Sequence, residues 1–242
     1  MKVDLFIPCF IDQLYPETAF SVVSILNKAG VEVIYNPGQT CCGQPAFNSG
    51  YWTEAGKLAL KFLDDFAGAS VIVSPSASCT GYIRNWYPKL LKENQKLTER
   101  YEQIRPHIFE LSDFLVNIID FTDFNVEFPH RVTYHDACHA LREYGIRKEP
   151  RTLLSNVKGL ELIEMEDTET CCGFGGTFAA RFHHISTAMI EQKVENALAT
   201  GAEYIISTEA SCLMNMDGYI RKQKLPVKTA HLADILAGKI KS

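Results

Sequence analysis

The 242-residue sequence predicts an α/β protein made of two pseudo-repeated β-α-β units with parallel sheets. Three observations predict this fold class. Eight cysteines fall into two similar sets, short apolar strand patterns precede the cysteines of both sets, and helical patterns lie between those strands. We place the first unit at residues 1–125 and the second at 126–242, because Pro129 precedes the first strand of the second set.

The spacing of the cysteines indicates the repeat. Successive cysteines of the first unit recur in the second at offsets of 129, 130, 130 and 133 residues, and none is left over. The tetrapeptide TCCG also occurs twice, at 40–43 and 170–173, and ASC occurs at 77–79 and 210–212. A nearly constant offset is typical of two copies of one unit. The two sets are Cys9, Cys41, Cys42 and Cys79, and Cys138, Cys171, Cys172 and Cys212.

Each cysteine position follows a predicted strand. In the first unit the β-branched, apolar segments are VDLFIP, VEVIYN and SVIVSP, and in the second they are RVTYHD, LELIEM and EYIIST. The loops that follow parallel strands emerge at one edge of a sheet, where ligands usually bind. We therefore expect three loops per unit to deliver four sulfurs to one site at that edge.

Helical periodicity separates the strands. In the first unit, apolar residues at 55, 58, 59, 62, 63 and 66 share one helix face, and Gly68 follows the helix. Ile190, Val194 and Leu198 form the corresponding face in the second unit, which ends at Gly201. The charged stretch 88–106 predicts a solvated helix, with a partner-docking arm as the alternative.

Composition excludes several functional classes. The formal net charge is −5 and no basic stripe carries interleaved aromatics, which argues against a nucleic-acid partner. No apolar run approaches the length of a membrane span, and Asp4 interrupts the short apolar N-terminus. We expect a cytoplasmic protein, in which eight cysteines are metal ligands, redox groups or buried apolar residues rather than disulfides.

Four thiols per unit allow three interpretations. Four thiolates are a full ligand set for an iron–sulfur cluster, and they also satisfy tetrahedral zinc. Thiol–disulfide exchange usually uses a Cys-x-x-Cys motif, which this sequence lacks. Flavin and nicotinamide motifs are not visible either, because GFGG at 173–176 lacks the third glycine of a dinucleotide loop.

The doubled pattern Cys…CysCysGly…Cys resembles the cysteine-rich CCG domain family. The segments that carry the resemblance span the chain: SPSASC, HDACHALREYGI, CCGFGGTFAARF and ASCLMNM. They are most similar to the short two-domain members that serve lactate utilisation. The resemblance implies an iron–sulfur electron-transfer subunit of a complex that oxidises L-lactate to pyruvate. It also implies two partners, a ferredoxin-like iron–sulfur subunit and a third lactate-utilisation subunit. Glycolate or another 2-hydroxy acid as substrate, and a non-redox assembly role with structural zinc, are the alternatives.

The sequence departs from the five-cysteine type of this family, represented by the cysteine-rich component of heterodisulfide reductase. In that type the last motif is Cys-x-x-Cys, whereas the first of those positions here is Ser76 in one unit and Glu209 in the other. Four thiolates per unit remain, and Glu209 is a candidate oxygen ligand in the second unit.

Two histidines bracket a candidate ligand in the second unit. His135 and His139 flank Cys138 in the segment HDACH. Each is a candidate cluster ligand, proton relay or structural residue at a helix start, given the pKa of histidine near neutrality. Asp136 is expected to fix the tautomer of either ring.

Overall fold

The computed structural model describes residues 1–240 and has one parallel four-stranded sheet in each predicted unit. In the first unit the elements are β1 (Lys2–Leu5), α1 (Cys9–Leu14), α2 (Pro16–Lys28), β2 (Glu32–Tyr35), α3 (Gln44–Asn48), α4 (Trp52–Asp65), β3 (Ile72–Ser74), α5 (Ala77–Leu91), α6 (Gln95–Ile104), β4 (Ile108–Glu110), α7 (Leu111–Asp113) and a π-helical turn (Phe114–Ile118). In the second they are β5 (Arg131–Tyr134), a π-helical turn (Ala140–Tyr144), α8 (Lys148–Ser155), β6 (Glu161–Leu162), α9 (Thr177–Arg181), α10 (His183–Ala199), β7 (Tyr204–Ser207), α11 (Ala210–Gln223), β8 (Lys228–His231) and α12 (Leu232–Leu236).

The two sheets have the same topology. Their strand orders are β2-β1-β3-β4 and β6-β5-β7-β8, and all pairs are parallel. In the first sheet Leu5 of the central strand lies opposite Tyr35 and Val73. The predicted α/β fold class and its six predicted strands are confirmed, and each sheet gains a fourth strand, β4 or β8, that the sequence analysis did not predict.

The stretch 88–106 differs from its prediction as one solvated helix. Helix α5 runs through Pro88 to Leu91, and α6 begins after a short break. Proline lacks the N–H that would bond the carbonyl four residues earlier, at Arg84. The Tyr101 hydroxyl donates to this carbonyl at 2.9 Å and to that of Ile83 at 2.7 Å. Tyr101 is fully buried, so α6 packs on the protein rather than standing in solvent.

One hydrophobic core crosses the boundary between the two units. It joins Val3 and Leu5 of the first sheet to Val132 and Ile206 of the second. Polar contacts between α2 and α12 reinforce the junction, since Asp234 accepts hydrogen bonds from Thr18 and Ser21 at 2.8 and 2.6 Å. The packing fixes the units against each other, while the boundary at residue 125 stays a prediction.

Within residues 1–240, no helix has both the length and the apolar composition needed to cross a membrane.

Candidate metal centre

All eight cysteines line a single cavity of about 250 Å³ between the two units. Each set follows the first three strands of its unit, as expected for loops at the carboxyl edge of a parallel sheet. The sequence analysis expected one site per unit, and the structure brings both sets to the lining of one space. Phe10 and Phe174, one from each unit, also line it and meet edge to face with ring centroids 5.5 Å apart.

The thiols of the first unit form two close pairs. The Cys9 and Cys41 sulfurs are 3.7 Å apart, and those of Cys42 and Cys79 are 3.4 Å apart. These separations are far longer than a disulfide bond, and all eight cysteines of the chain are free. Cys42 is buried and the other three are partly accessible from the cavity.

Glycine after each cysteine pair shapes the loop around the sulfurs. Gly43 and Gly173 have φ values of +93° and +81°, in the left-handed region that favours glycine. This conformation turns each glycine N–H back to the first sulfur of the pair. Gly43 donates to the Cys41 sulfur at 3.4 Å, and Gly173 donates to the Cys171 sulfur at 3.3 Å.

Hydrogen bonds from neighbouring thiols, more than those from the glycine N–H groups, lower the pKa of the first cysteine of each pair. Thiol donors from Cys42 and Cys9 lower the pKa of Cys41 to about 3. Donors from Cys138 and Cys172 likewise lower the pKa of Cys171 to about 2. Without a metal the pattern is one of two thiolates accepting from neighbouring thiols, whose own pKa values are raised by the same contacts and by burial, and metal binding would release the remaining protons.

His135 and His139 occupy different environments. His135 is fully buried, and neither ring nitrogen has a nitrogen or oxygen partner within residues 1–240. Its nearest ligand-type neighbours are Cys172 and Cys212, and one ligand atom from each of the three lies within 4.8 Å of the others. His139 is half-buried on the cavity wall, with Nδ1 3.5 Å from the Cys138 sulfur.

Asp136 does not orient either histidine, contrary to expectation. Both of its carboxylate oxygens accept from the Arg151 guanidinium, at 2.9 and 2.8 Å. Arg151 also pairs with Glu164 and lies over the Tyr134 ring. A bidentate arginine satisfies the buried carboxylate and directs it away from the imidazoles.

Glu209 lines the cavity but is held by residues of the first unit. Its carboxylate accepts from the Ser76 hydroxyl at 3.1 Å and from the Ser78 backbone N–H at 2.9 Å. Ser76 and Glu209 are the positions at which the five-cysteine pattern has its extra cysteine, and here they bond to each other across the units. A carboxylate oxygen can accept a hydrogen bond and bind a metal at the same time, so Glu209 stays a candidate oxygen ligand.

The sequence analysis missed three residues that support the loops. Lys193 is fully buried and donates to the carbonyls of Asp167 and Thr168, which precede the second cysteine pair. The Tyr87 hydroxyl donates to the Cys42 carbonyl at 2.8 Å, and the Asn215 amide donates to the Cys172 carbonyl at 3.0 Å. These long-range contacts have no local sequence pattern, although a lysine within an apolar helix face was a detectable anomaly.

The residues present fit a thiolate-bound metal centre. Eight free thiols converge on one cavity, and a buried imidazole beside them has no nitrogen or oxygen partner within the described part of the chain. A buried polar group without a partner calls for an explanation, and a metal bound beside the sulfurs would supply one for His135. Soft thiolates select iron–sulfur clusters or zinc.

A model of the cysteine-rich CCG domain matches residues 3–84 and 132–217, which include all eight cysteines. The class of protein defined by the fold and the site is therefore that of cysteine-rich CCG domain proteins. Lactate utilization protein A 2 of Bacillus cereus is 39% identical over 237 residues, covering 98% of both chains. Lactate utilization protein A of Exiguobacterium sp. is 41% identical over 97% of this chain and 96% of its own. Within the CCG class, the chain belongs to the lactate utilization protein A family.

A solved structure supports the fold. The crystal structure of a hypothetical protein from Helicobacter pylori covers all of this chain with a TM-score of 0.63 at 12% identity. This chain spans 49% of that one, so the likeness concerns the fold of about half of the larger protein.

Proposed function

We propose that this chain is an iron–sulfur electron-transfer subunit of a cytoplasmic complex that oxidises L-lactate to pyruvate. The observation that carries the proposal is the doubled set of four free thiols around one cavity, in a member of the lactate utilization protein A family. Related chains of nearly the same length carry that name, which supports a lactate-utilisation role for this one.

In this proposal the eight cysteines hold the cofactor, one set of four in each unit. A bound iron–sulfur cluster supplies one-electron transfer. Gly43 and Gly173 donate hydrogen bonds to ligand sulfurs, and such donors stabilise the added negative charge of a reduced centre. His139, on the cavity wall, holds or moves the proton that accompanies an electron.

Partner subunits complete the reaction. Removing a hydride from a 2-hydroxy acid normally needs an organic cofactor, and the sequence has no flavin or nicotinamide motif. We therefore assign this step to a complex with a ferredoxin-like iron–sulfur subunit and a third lactate-utilisation subunit. The present chain passes electrons between them.

Metal analysis of anaerobically purified protein tests the proposal. We expect iron with matching acid-labile sulfide and a visible absorption band that dithionite bleaches. Cys171→Ser and Cys172→Ser should each lose iron, whereas Gln44→Ala, which removes a cavity-lining side chain without a thiol, should keep it. Zinc without sulfide, or cysteine variants with unchanged iron, would contradict the proposal and favour a structural role.

A substrate assay of the purified complex separates the hydroxy acids. We expect electron-acceptor reduction with L-lactate to exceed that with glycolate. Turnover that is equal or faster with glycolate would reassign the substrate while leaving the electron-transfer role intact.

A further inference from the structure

The two thiol sets lie in chemically different surroundings. At the 129-residue offset that relates Cys9 to Cys138, Phe6 of the first unit corresponds to His135. Helices α4 and α10 align at an offset of 131 residues, which makes Phe62 the counterpart of Lys193. The second unit thus has the imidazole of His135 and the ammonium of Lys193 at the two positions where the first unit has phenylalanine side chains.

The phenylalanines of the first unit form part of an aromatic core. Phe6 packs edge to face on Phe62 and Phe66, with centroid distances of 5.3 and 5.8 Å. Neither ring can bind a metal or carry charge. The first set therefore has only its thiols as ligands and an apolar layer behind them.

In the second unit, His135 faces the sulfurs directly. Its two ring nitrogens lack any nitrogen or oxygen partner in the described chain, although the side chain is fully buried. Leaving a buried donor and acceptor unpaired is costly, which favours a further interaction for this ring. A ring nitrogen of His135 and the sulfurs of Cys172 and Cys212 lie within 4.8 Å of one another, a spacing at which all three could bind one metal.

Lys193 adds a positive charge behind the same set. Within the described residues, the Lys193 ammonium donates hydrogen bonds to the carbonyls of Asp167 and Thr168. No carboxylate of these residues lies in salt-bridge contact with it. A buried cation requires a compensating charge nearby. Burial lowers the pKa of Lys193, whereas nearby negative charge, from Asp167 first and then from the second cysteine pair, favours its protonated form.

We infer that the two centres are inequivalent: the second-unit centre takes His135 as a ligand beside its thiolates and has the higher reduction potential. The inference rests on the proposed iron–sulfur function. The neutral imidazole adds no negative charge to the second-unit centre, and the ammonium of Lys193 behind it stabilises a reduced, more negative centre, which raises its potential. With clusters bound, one electron lost by the first-unit centre would be gained by the second-unit centre, and electrons would leave the chain through the second unit.

Potentiometric titration followed by electron paramagnetic resonance tests the order of potentials. We expect two midpoint potentials that differ by at least about 59 mV, which for a one-electron couple corresponds to a tenfold change in the equilibrium constant. Lys193→Met should lower the higher midpoint by a similar amount, and Lys193→Arg, which keeps the charge, should restore it. Phe62→Met is the matched control in the first unit and should leave the higher midpoint unchanged.

Pulsed resonance spectroscopy of the reduced protein tests the ligand. We expect a nitrogen hyperfine coupling that His135→Phe abolishes and that His139→Phe retains. Protein without iron would overturn the proposed function together with this inference. Iron-loaded protein whose two centres share one midpoint, or whose nitrogen coupling survives His135→Phe, would overturn the inference alone.

Discussion

Alanine substitutions at the two glycines that follow the cysteine pairs should have unequal effects. At both positions a Cβ is strained by the positive φ, which costs about 1–2 kcal/mol. At Gly173 the Cβ would also lie 2.7 Å from the Ser186 carbonyl oxygen and 3.1 Å from the Met189 Cβ, both on α10. At Gly43 the nearest atom is the Leu58 Cβ at 3.3 Å, a contact that a small shift relieves. Overpacking against backbone adds about 1–3 kcal/mol at Gly173 alone.

We therefore expect Gly173→Ala to lower the free energy of unfolding by about 2–5 kcal/mol and Gly43→Ala by about 1–2 kcal/mol. Urea unfolding of the metal-free proteins measures both losses without a contribution from metal binding. Metal stoichiometry of the same variants then reports whether the second set alone is disturbed. Equal losses, or a larger loss for Gly43→Ala, would refute the close approach of α10 to the second cysteine loop.

Three further predictions concern charge. Arg151→Met should lower the free energy of unfolding by about 3 kcal/mol, because Asp136 is left with an uncompensated buried charge. A loss of less than about 1 kcal/mol in urea would contradict that role. Burial raises the pKa of Glu110 from 4.5 to about 8. Its contribution to stability is therefore complete below about pH 4.5 and is lost as the pH rises through 8, so Glu110→Gln should flatten the decline of stability over this range. An unchanged decline would exclude Glu110 as its source. In metal-free protein at about pH 6, iodoacetamide should modify Cys41 and Cys171 first, because only the thiolate is nucleophilic. Uniform labelling in peptide mass mapping would show that their pKa values are not lowered.

The sequence predicted those parts of the fold that depend on local pattern. Strands β3 and β7 are short, mainly apolar runs, and helix α4 buries Ala55, Ala59, Phe62 and Leu63 at helical spacing. Convergence of the cysteines followed from the rule that loops after parallel strands share an edge. A repeat of constant offset therefore predicted the members of each set without a structure.

The fourth strand of each sheet could not be predicted in this way. Strand β4 is three residues long and ends in Glu110, and β8 contains Lys228 and His231. Neither shows a run of apolar residues, since each is defined by pairing with β3 or β7 rather than by its own composition. Tertiary pairing overrides local propensity in such edge strands. The continuation of α5 through Pro88 has a similar cause, because Tyr101 supplies the missing hydrogen-bond donor from a different helix.

The common cavity depends on packing between the units, which a repeat offset does not specify. Two sequence copies are compatible with separate sites facing opposite directions. The hydrogen bonds of Glu209 with Ser76 and Ser78 and the shared apolar core instead turn both carboxyl edges toward each other. At the two positions where the five-cysteine pattern has its extra cysteines, this chain has Ser76 and Glu209. These two residues form a hydrogen bond that joins the units. The two residues that stand in place of a fifth cysteine in each set therefore help to join the units beside the cavity that both sets line.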